Sequence, residues 1–154
     1  MIQTLNLYGP ILRLTPFNLA GSMLRFSINR RDDSRQVGLL LVTALDPKSG
    51  HAALELLIAD PEKRKLYGPE VLKLVLQFGF CERKLHRVTM CVPEFDRVTL
   101  KLIEQIGFTL EARQRQAILL RGRFWDDLVY GLLETDWQDK VEYEASPLPV
   151  EGYC

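Results

Sequence analysis

The sequence of 154 residues has little of what marks several large classes of protein. It contains three cysteines and two histidines, and no CxxC pair or histidine spacing indicates a zinc site. No apolar run approaches the ~18 residues of a membrane span. The first residues, MIQTLNLYG, carry neither a basic leader nor an apolar signal core. We therefore expect a cytoplasmic protein that holds no metal and does not associate with membranes.

A surplus of charge of one sign is also missing. The 20 basic and 20 acidic residues give a formal net charge of zero, whereas nucleic-acid-binding proteins usually carry a basic surplus. We expect no nucleic-acid partner. The 47% hydrophobic and 26% charged residues that are present are typical of a globular domain with its own core. The composition predicts a single domain over residues 1–137 and an acidic, proline-bearing flexible tail over 138–154.

The spacing of apolar residues predicts a mixed α/β fold. Alternating patterns or continuous apolar runs predict strands at residues 10–14, 23–30, 36–45, 51–60 and 86–92, followed by two strands joined at 121–123. A 3.6-residue period predicts helices at 69–83, with Pro69 as first residue, and at 97–106, capped by Asp96. The order β-β-β-β-α-β-α-β-β makes the first helix a crossover, so the fourth and fifth strands should be parallel.

Three stretches carry a resemblance to a known family. GLLLVTALDPKSGHAALELLIADPEKRKLYGPEVLKLVLQFGF, LHRVTMCVPEFDRVTLKLIEQIGF and LRGRFWDDLVYGLL cover most of residues 37–133 and resemble the GNAT (N-acetyltransferase) superfamily. The similarity is greatest to its ribosomal-protein N-acetyltransferase-like branch. The resemblance implies an α/β fold with a GNAT-like mixed, mainly antiparallel sheet, a splayed parallel pair and flanking helices. It also implies acetyl-CoA as cosubstrate and, as acceptor, the primary amine of a protein N-terminus or a small molecule.

The chain departs from the family's pattern in three places. The family's pyrophosphate loop reads (Q/R)-x-x-G-x-(G/A), but residues 64–68 are one residue short and lack the central glycine. Ile103 stands where the family often has a tyrosine that protonates the leaving thiolate. The eight residues TPFNLAGS, 15–22, replace two helices that wall the acceptor site. We expect a degenerate loop with a weak anion site, and a cleft open on one side or covered by the tail, a homodimer or a protein partner.

The resemblance assigns roles to particular residues. Glu55 is the candidate catalytic base, with a solvated strand carboxylate as the equal alternative. The candidate substrate-binding residues lie on the last hairpin, where a charged turn with an aromatic anchor is the alternative, and they are Arg123, Trp125 and Asp126. The candidate cofactor-binding residues are Arg64, Lys65, Leu66, Tyr67, Gly68, Leu57, Ile58 and Asp96. Two functions stay open: a divergent acyl-CoA-dependent N-acyltransferase, or a catalytically inactive GNAT-fold binding or interaction module that has lost CoA binding.

Overall fold

The computed structural model describes residues 6–20 and 23–138, apart from the side chains of 18–20. Nearly all of the predicted tail, 139–154, lies outside the described residues. The strands are β1 (Leu7–Tyr8), β2 (Leu12–Ala20), β3 (Met23–Arg30), β4 (Gln36–Asp46), β5 (His51–Leu57), β6 (Arg87–Pro93), β7 (Thr109–Leu120) and β8 (Arg123–Leu133). The helices are α1 (Pro61–Gln77), which continues into a π-helical turn at Phe78–Glu82, and α2 (Arg97–Ile106). Residues 134–138, at the end of the described chain, are also helical.

Eight described strands form one sheet in the order β1-β2-β3-β4-β5-β6-β8-β7. The pair β5–β6 is parallel, and the other neighbouring pairs are antiparallel. The parallel register runs from His51↔Arg87 to Leu54↔Met90 and stops there, although the two strands continue to Leu57 and Pro93. The predicted mixed sheet with a parallel pair that splays at its C-terminal ends is therefore confirmed.

One face of the sheet carries the hydrophobic core. Alternate residues such as Leu54, Met90 and Leu132 are at most 5% exposed and join one cluster with the apolar faces of α1 and α2. Burying each such side chain contributes about 1.5–3 kcal/mol. Of the intervening residues on the central strands, Glu55 and Cys91 are exposed and most others are half-buried. Helices α1 and α2 both join the core cluster on the other side, and we call this second face of the sheet the uncovered face. Both exposed residues also line the cleft described below.

Residues 21 and 22 of the segment 15–22 lie outside the described residues. Its residues 15–20 complete β2, which pairs antiparallel with β3 and has a register shift between Pro16 and Asn18. Proline is tolerated there because a bulge does not need its missing N–H. The predicted strand 10–14 was therefore too short. No helix lies between β2 and β3 in the described chain, and strand residues stand where the resemblance implied a helical wall. Whether that side of the cleft is open or covered stays a prediction.

Helix α1 begins eight residues earlier than predicted. The Asp60 carboxylate accepts hydrogen bonds from the backbone N–H of Glu62 (2.9 Å) and of Lys63 (3.4 Å), and Pro61 occupies the first turn. Residues 64–68, predicted as a phosphate-binding loop, are consequently helical, and that prediction of their conformation is wrong. Pro69 lies inside the helix and leaves the carbonyl four residues before it without its usual donor.

Gly68 has a packing role in this helix. A Cβ at this position would lie 2.5 Å from Cδ2 of Leu102 on α2 and 3.5 Å from Cδ2 of Leu56 on β5. The absence of a side chain therefore allows α1 to approach both α2 and the sheet closely. The glycine that resembled the end of a phosphate loop is buried at a helix crossing instead.

We predict that Asp60→Ala lowers the free energy of unfolding by about 0.5–2 kcal/mol, because two N–H groups of the first turn lose their acceptor. Urea denaturation measures the change. Asp60→Asn is the matched control and should unfold close to the parent chain, since asparagine caps about as well as aspartate. A helix that started at Pro69 would make Asp60→Ala neutral, and that result would contradict the observed start.

Candidate functional site

The divergence of β5 and β6 opens a cleft at the end of the parallel pair. Beyond Leu54 and Met90 the two strands no longer pair with each other, while β6 stays paired with β8 as far as Pro93↔Asp127. Each strand therefore turns a free backbone edge toward the gap. The cleft encloses about 410 Å³ and is lined by Glu55, Leu56, Leu57, Ile58, Ala59, Arg64, Met90, Cys91, Val92, Pro93, Asp96 and Thr99.

Arg64 reaches from α1 across this cleft. Its Nη2 lies 3.3 Å from Oδ1 of Asp96, and its Nη1 donates to the backbone carbonyl of Ile58 at 3.3 Å. Both side chains of the ion pair are 17% exposed, so the pair is largely shielded from solvent. The Nε of Arg64 is buried and has no hydrogen-bond partner among the described residues. The guanidinium thus joins the end of β5 to the start of α2.

Asp96 is held in place by α2. Its Oδ1 accepts from the backbone N–H of Thr99 (3.1 Å) and its Oδ2 from the Thr99 hydroxyl (2.7 Å), which is the N-cap predicted from the sequence. The same carboxylate therefore caps a helix and pairs with Arg64. Ile103, further along α2, is fully buried in the core, and an isoleucine offers no proton.

The structure brings together half of the predicted cofactor residues. Arg64, Leu57, Ile58 and Asp96 all line the cleft. The other four belong to helix α1 and do not line the cleft. Lys65 and Leu66 are exposed, whereas Tyr67 and Gly68 are on the buried side of the helix.

The free backbone amides on which we based a weak anion site at residues 64–68 are absent, and the site itself stays a prediction. Asp60 already occupies the first N–H groups of α1, and the N–H of Arg64 donates to the Asp60 carbonyl at 2.9 Å. Amides inside a helix are engaged in the helical hydrogen bonds and cannot surround a phosphate. Positive charge reaches the cleft through the side chain of Arg64, whose Nη2 is engaged with Asp96.

The predicted substrate-binding residues separate into two groups. Arg123 and Trp125 lie together, with the guanidinium carbon 3.8 Å from the centre of the indole ring, and Phe95 meets the same ring edge-on at 5.4 Å. Asp126 is engaged elsewhere: it accepts from Nη1 of Arg113 (2.6 Å) and from the backbone N–H of Gln116 (2.9 Å). The hydrogen bond from Arg113 lowers the pKa of Asp126.

Glu55 and Asp127 are the carboxylates of the uncovered face near the cleft. Glu55 is exposed and lines the cleft from β5. Asp127 was not among our sequence candidates, although strand alternation places 125, 127 and 129 on one face. Its Oδ1 is buried and has no hydrogen-bond partner in the described part of the chain. Burial raises the pKa of Asp127, and a hydrogen bond from the backbone of Leu128 opposes that shift.

Cys91 shows that Asp127 lies near the cleft. The thiol is free, and the residue is exposed on β6 within the lining of the cleft. Its pKa is raised, first by partial desolvation of the sulfur and then by the negative charge of Asp127. Such a thiol is not activated as a nucleophile, because raising the pKa disfavours the thiolate.

The described residues were also compared with two further kinds of site, a metal centre and a membrane span. No three His, Cys, Asp or Glu side chains among residues 6–20 and 23–138 are grouped as metal ligands would be. Over the same residues, no helix combines the length and apolar character that crossing a bilayer requires.

Comparisons with known proteins give consistent matches. The sequence profile described as "Acetyltransferase (GNAT) domain" matches residues 13–129. A prophage-derived, uncharacterized N-acetyltransferase of Bacillus subtilis is 26% identical over 106 residues, 69% of this chain and 60% of that protein. An uncharacterized N-acetyltransferase of Bacillus licheniformis is 22% identical over 82% of this chain and 71% of its own length. The chain therefore spans only part of these relatives.

Solved structures share the fold at low sequence identity. The N-terminal domain of a ribosomal-protein-alanine acetyltransferase from Clostridium acetobutylicum superposes with a TM-score of 0.70 at 17% identity, covering 86% of this chain and 98% of that one. A spermidine/spermine N-acetyltransferase from Vibrio cholerae superposes with a TM-score of 0.71 at 18% identity, covering 78% and 70%. These likenesses establish the fold.

The pKa of Asp126 is lowered and that of its neighbour Asp127 is raised, and this difference can be tested. The raised pKa of Asp127 means that the folded state binds the proton more tightly than the unfolded state, so the ionised group costs stability above that pKa. Asp127→Asn should therefore be more stable than the parent at pH 7, and the gain should shrink as the pH falls toward the ordinary aspartate value of about 3.9. Urea unfolding across this range measures it.

Asp126→Asn provides the control of opposite sign. The lowered pKa of Asp126 contributes stability above the ordinary aspartate value that is lost as the pH falls, so this variant should be less stable than the parent at pH 7. If Asp127→Asn instead destabilised the protein to the same extent at every pH, the carboxylate would have a structural donor and the unpartnered Oδ1 would be ruled out.

Proposed function

The chain belongs to the acetyltransferase (GNAT) domain family, and we propose that it transfers an acyl group from acyl-CoA to a primary amine of a protein N-terminus or a small molecule. The observation that carries the proposal is the cleft between the diverging ends of β5 and β6. Its free strand edges suit an extended amide-containing arm such as pantetheine, because such an arm can add to a sheet edge through backbone hydrogen bonds.

Binding of acyl-CoA on the β5 edge requires Arg64 to move. The carbonyl of Ile58 is among the acceptors available to the pantetheine amides, and Arg64 donates to it in the structure. A guanidinium released from Ile58 and Asp96 could then pair with the pyrophosphate, since arginine matches phosphate oxygens in a bidentate manner. The ordinary cradle of backbone amides is absent from residues 64–68, so we expect weak binding of acetyl-CoA.

Glu55 is the proposed base. The acceptor amine is an ammonium ion at neutral pH and must lose a proton before its nitrogen can attack the thioester carbonyl. Glu55 lines the cleft from an exposed position and can accept that proton, directly or through water. Attack forms the N–C bond, collapse of the tetrahedral intermediate breaks the C–S bond, and the nitrogen sheds its second proton. No tyrosine or histidine is among the described residues that line the cleft, so water would protonate the leaving thiolate.

A non-catalytic binding module is the second candidate, and one observation favours it. The shielded Arg64–Asp96 pair and the early start of α1 fill the region where a phosphate loop would lie. A partner chain that covers the open face, such as a second copy in a homodimer, would suit this function as well. Whether acetyl-CoA binds separates the two candidates directly.

We predict that acetyl-CoA binds the protein weakly and that Arg64→Ala weakens binding by roughly 10- to 100-fold, because one charge-assisted hydrogen bond is worth about 1.5–3 kcal/mol. Isothermal titration calorimetry is the measurement. Lys65→Ala is the matched control, since Lys65 is the next residue on α1 and is exposed. Tighter binding by Arg64→Ala would show that Arg64 blocks the cleft, and no binding by the parent chain would favour the non-catalytic module.

For the chemical step, Glu55→Gln should lower kcat for acetyl transfer by about 10²- to 10⁴-fold, the usual contribution of a general base. Release of free CoA in the presence of peptides with free N-termini and of small primary amines gives the rate. Glu62→Gln, an exposed carboxylate on α1, is the control and should leave the rate unchanged. Equal rates for Glu55→Gln and the parent would show that Glu55 is a solvated strand carboxylate and not the general base.

A further inference from the structure

A second carboxylate lies beside the mouth of the cleft. In the β6–β8 register Cys91 faces Val129 and Pro93 faces Asp127, and both Cys91 and Pro93 line the cleft. Asp127 is therefore the diagonal neighbour of Cys91, a separation of about 7–8 Å between such positions. The negative charge of Asp127 acts on the Cys91 thiol, which is consistent with this proximity. Glu55 lines the cleft from the opposite strand.

The polar atoms of this region have unused hydrogen-bonding capacity. Oδ1 of Asp127 is a buried acceptor and Nε1 of Trp125 is a buried donor, and neither has a hydrogen-bond partner among the described residues. An unpaired buried polar group costs stability, so folded proteins rarely keep one without a reason. A ligand that brings an N–H donor to Asp127 would remove that cost on binding.

The aromatic side chain next to Asp127 already holds a cation. The guanidinium of Arg123 stacks 3.8 Å from the centre of the Trp125 ring, on a side chain that Phe95 braces edge-on. The face of an indole ring attracts cations. Asp127 lies two residues from Trp125 along β8, and its negative charge would also attract a cation.

The chemical class of the ligand follows from the remaining neighbours. Val129 follows Asp127 on the same face of β8, and Cys91 pairs with Val129 across β6 and β8. Apolar side chains beside a carboxylate suit an ammonium group on an alkyl chain better than a small, fully hydrated cation. The adjacent Asp126 cannot take the same role, because Arg113 and the N–H of Gln116 occupy its oxygens.

We propose that Asp127 binds the ammonium group of a primary alkylamine on the uncovered sheet face and so positions the acceptor for the cleft. The role in acetyl transfer rests on the proposed function, whereas the amine site itself does not. Asp127 holds the cationic acceptor on the β8 side of the cleft mouth, and the amine then passes into the cleft, where Glu55 receives its proton before attack. The missing helical wall leaves this face open to a chain that extends away from the cleft.

The test uses the full chain without acetyl-CoA and takes hexylamine as the probe. Calorimetry should detect hexylamine binding to the parent protein and at least a tenfold weaker association with Asp127→Asn. Hexanol, which has the same alkyl chain and no charge, should bind both proteins equally and more weakly. Glu82→Gln, an exposed carboxylate remote from this face, is the control and should bind hexylamine as the parent does.

Cys91 supplies an independent readout at the site. Hexylamine should slow the alkylation of Cys91 by iodoacetamide, measured on the Cys91 peptide by mass spectrometry, and the protection factor should fall toward one in Asp127→Asn. Asp127→Glu keeps the charge and should recover part of the protection, which a merely structural role would not predict. Thermal denaturation checks that each variant is folded.

The outcomes distinguish the amine site at Asp127 from the proposed acyltransferase activity. Failure of the parent protein to bind hexylamine, or equal binding by the parent and Asp127→Asn, would overturn the amine site. Binding that depends on Asp127 supports the site even if no acetyl transfer is found, and in that case only the proposed acyltransferase activity would fail. Acetyl transfer to hexylamine with an unchanged KM in Asp127→Asn would keep the activity and remove Asp127 from the acceptor site.

Discussion

The separation of two parallel strands is the constraint on which the rest of the molecule depends. β5 and β6 share a register for four residue pairs and then part, while β6 keeps its partner β8 to the end. Backbone groups along the gap need other partners, because unpaired buried amides and carbonyls are costly. In the structure Arg64 supplies one of them by donating to Ile58, and a bound chain of amides would supply more.

The early start of α1 determines how this gap is filled. Asp60 and Pro61 begin the helix directly after β5, which brings Arg64, one turn later, over the cleft. The cap removes the amides that would otherwise be available to an anion, and the arginine places a positive charge inside the cleft instead. Where a phosphate loop would offer backbone amides, this chain places the side chain of Arg64, which is paired with Asp96 and shielded from solvent.

The sequence correctly predicted the parts of the fold that depend on the order of strands and helices. The predictions were wrong where two local signals in the sequence competed. The apolar crossover helix correctly implied a parallel β5–β6 pair. Pro61 and Pro69 both suit a helix start. The Asp60 cap and the packing of Gly68 against Leu102 both favour the first. Strong turn formers in 15–22 concealed a strand because pairing with β3 overrides their local preference.

The residues of the cleft were predicted in part, and Asp127 was missed. Glu55, Leu57, Ile58, Arg64 and Asp96 do meet in one cleft, because they flank the ends of the splayed strands. Asp126 and Asp127 are identical neighbours in the sequence, and the alternation of a single strand sends one to an arginine and the other to the uncovered face. Composition and spacing cannot show which of the two residues faces which side of the sheet, because the register with the neighbouring strand decides it.

The base of the last hairpin has a consequence of its own. Arg113 joins Asp126 on β8 to Glu94 in the turn after β6, at 2.6 and 3.2 Å, and is 49% exposed. Dissolved salt screens such charges over about 8 Å at physiological ionic strength and over longer distances in dilute buffer. The ionic link between the last hairpin and the turn after β6 is therefore stronger in dilute buffer than at physiological ionic strength. The backbone ladder between β6 and β8 does not depend on salt in this way, so dissolved salt acts on the side-chain contact and leaves the strand pairing in place.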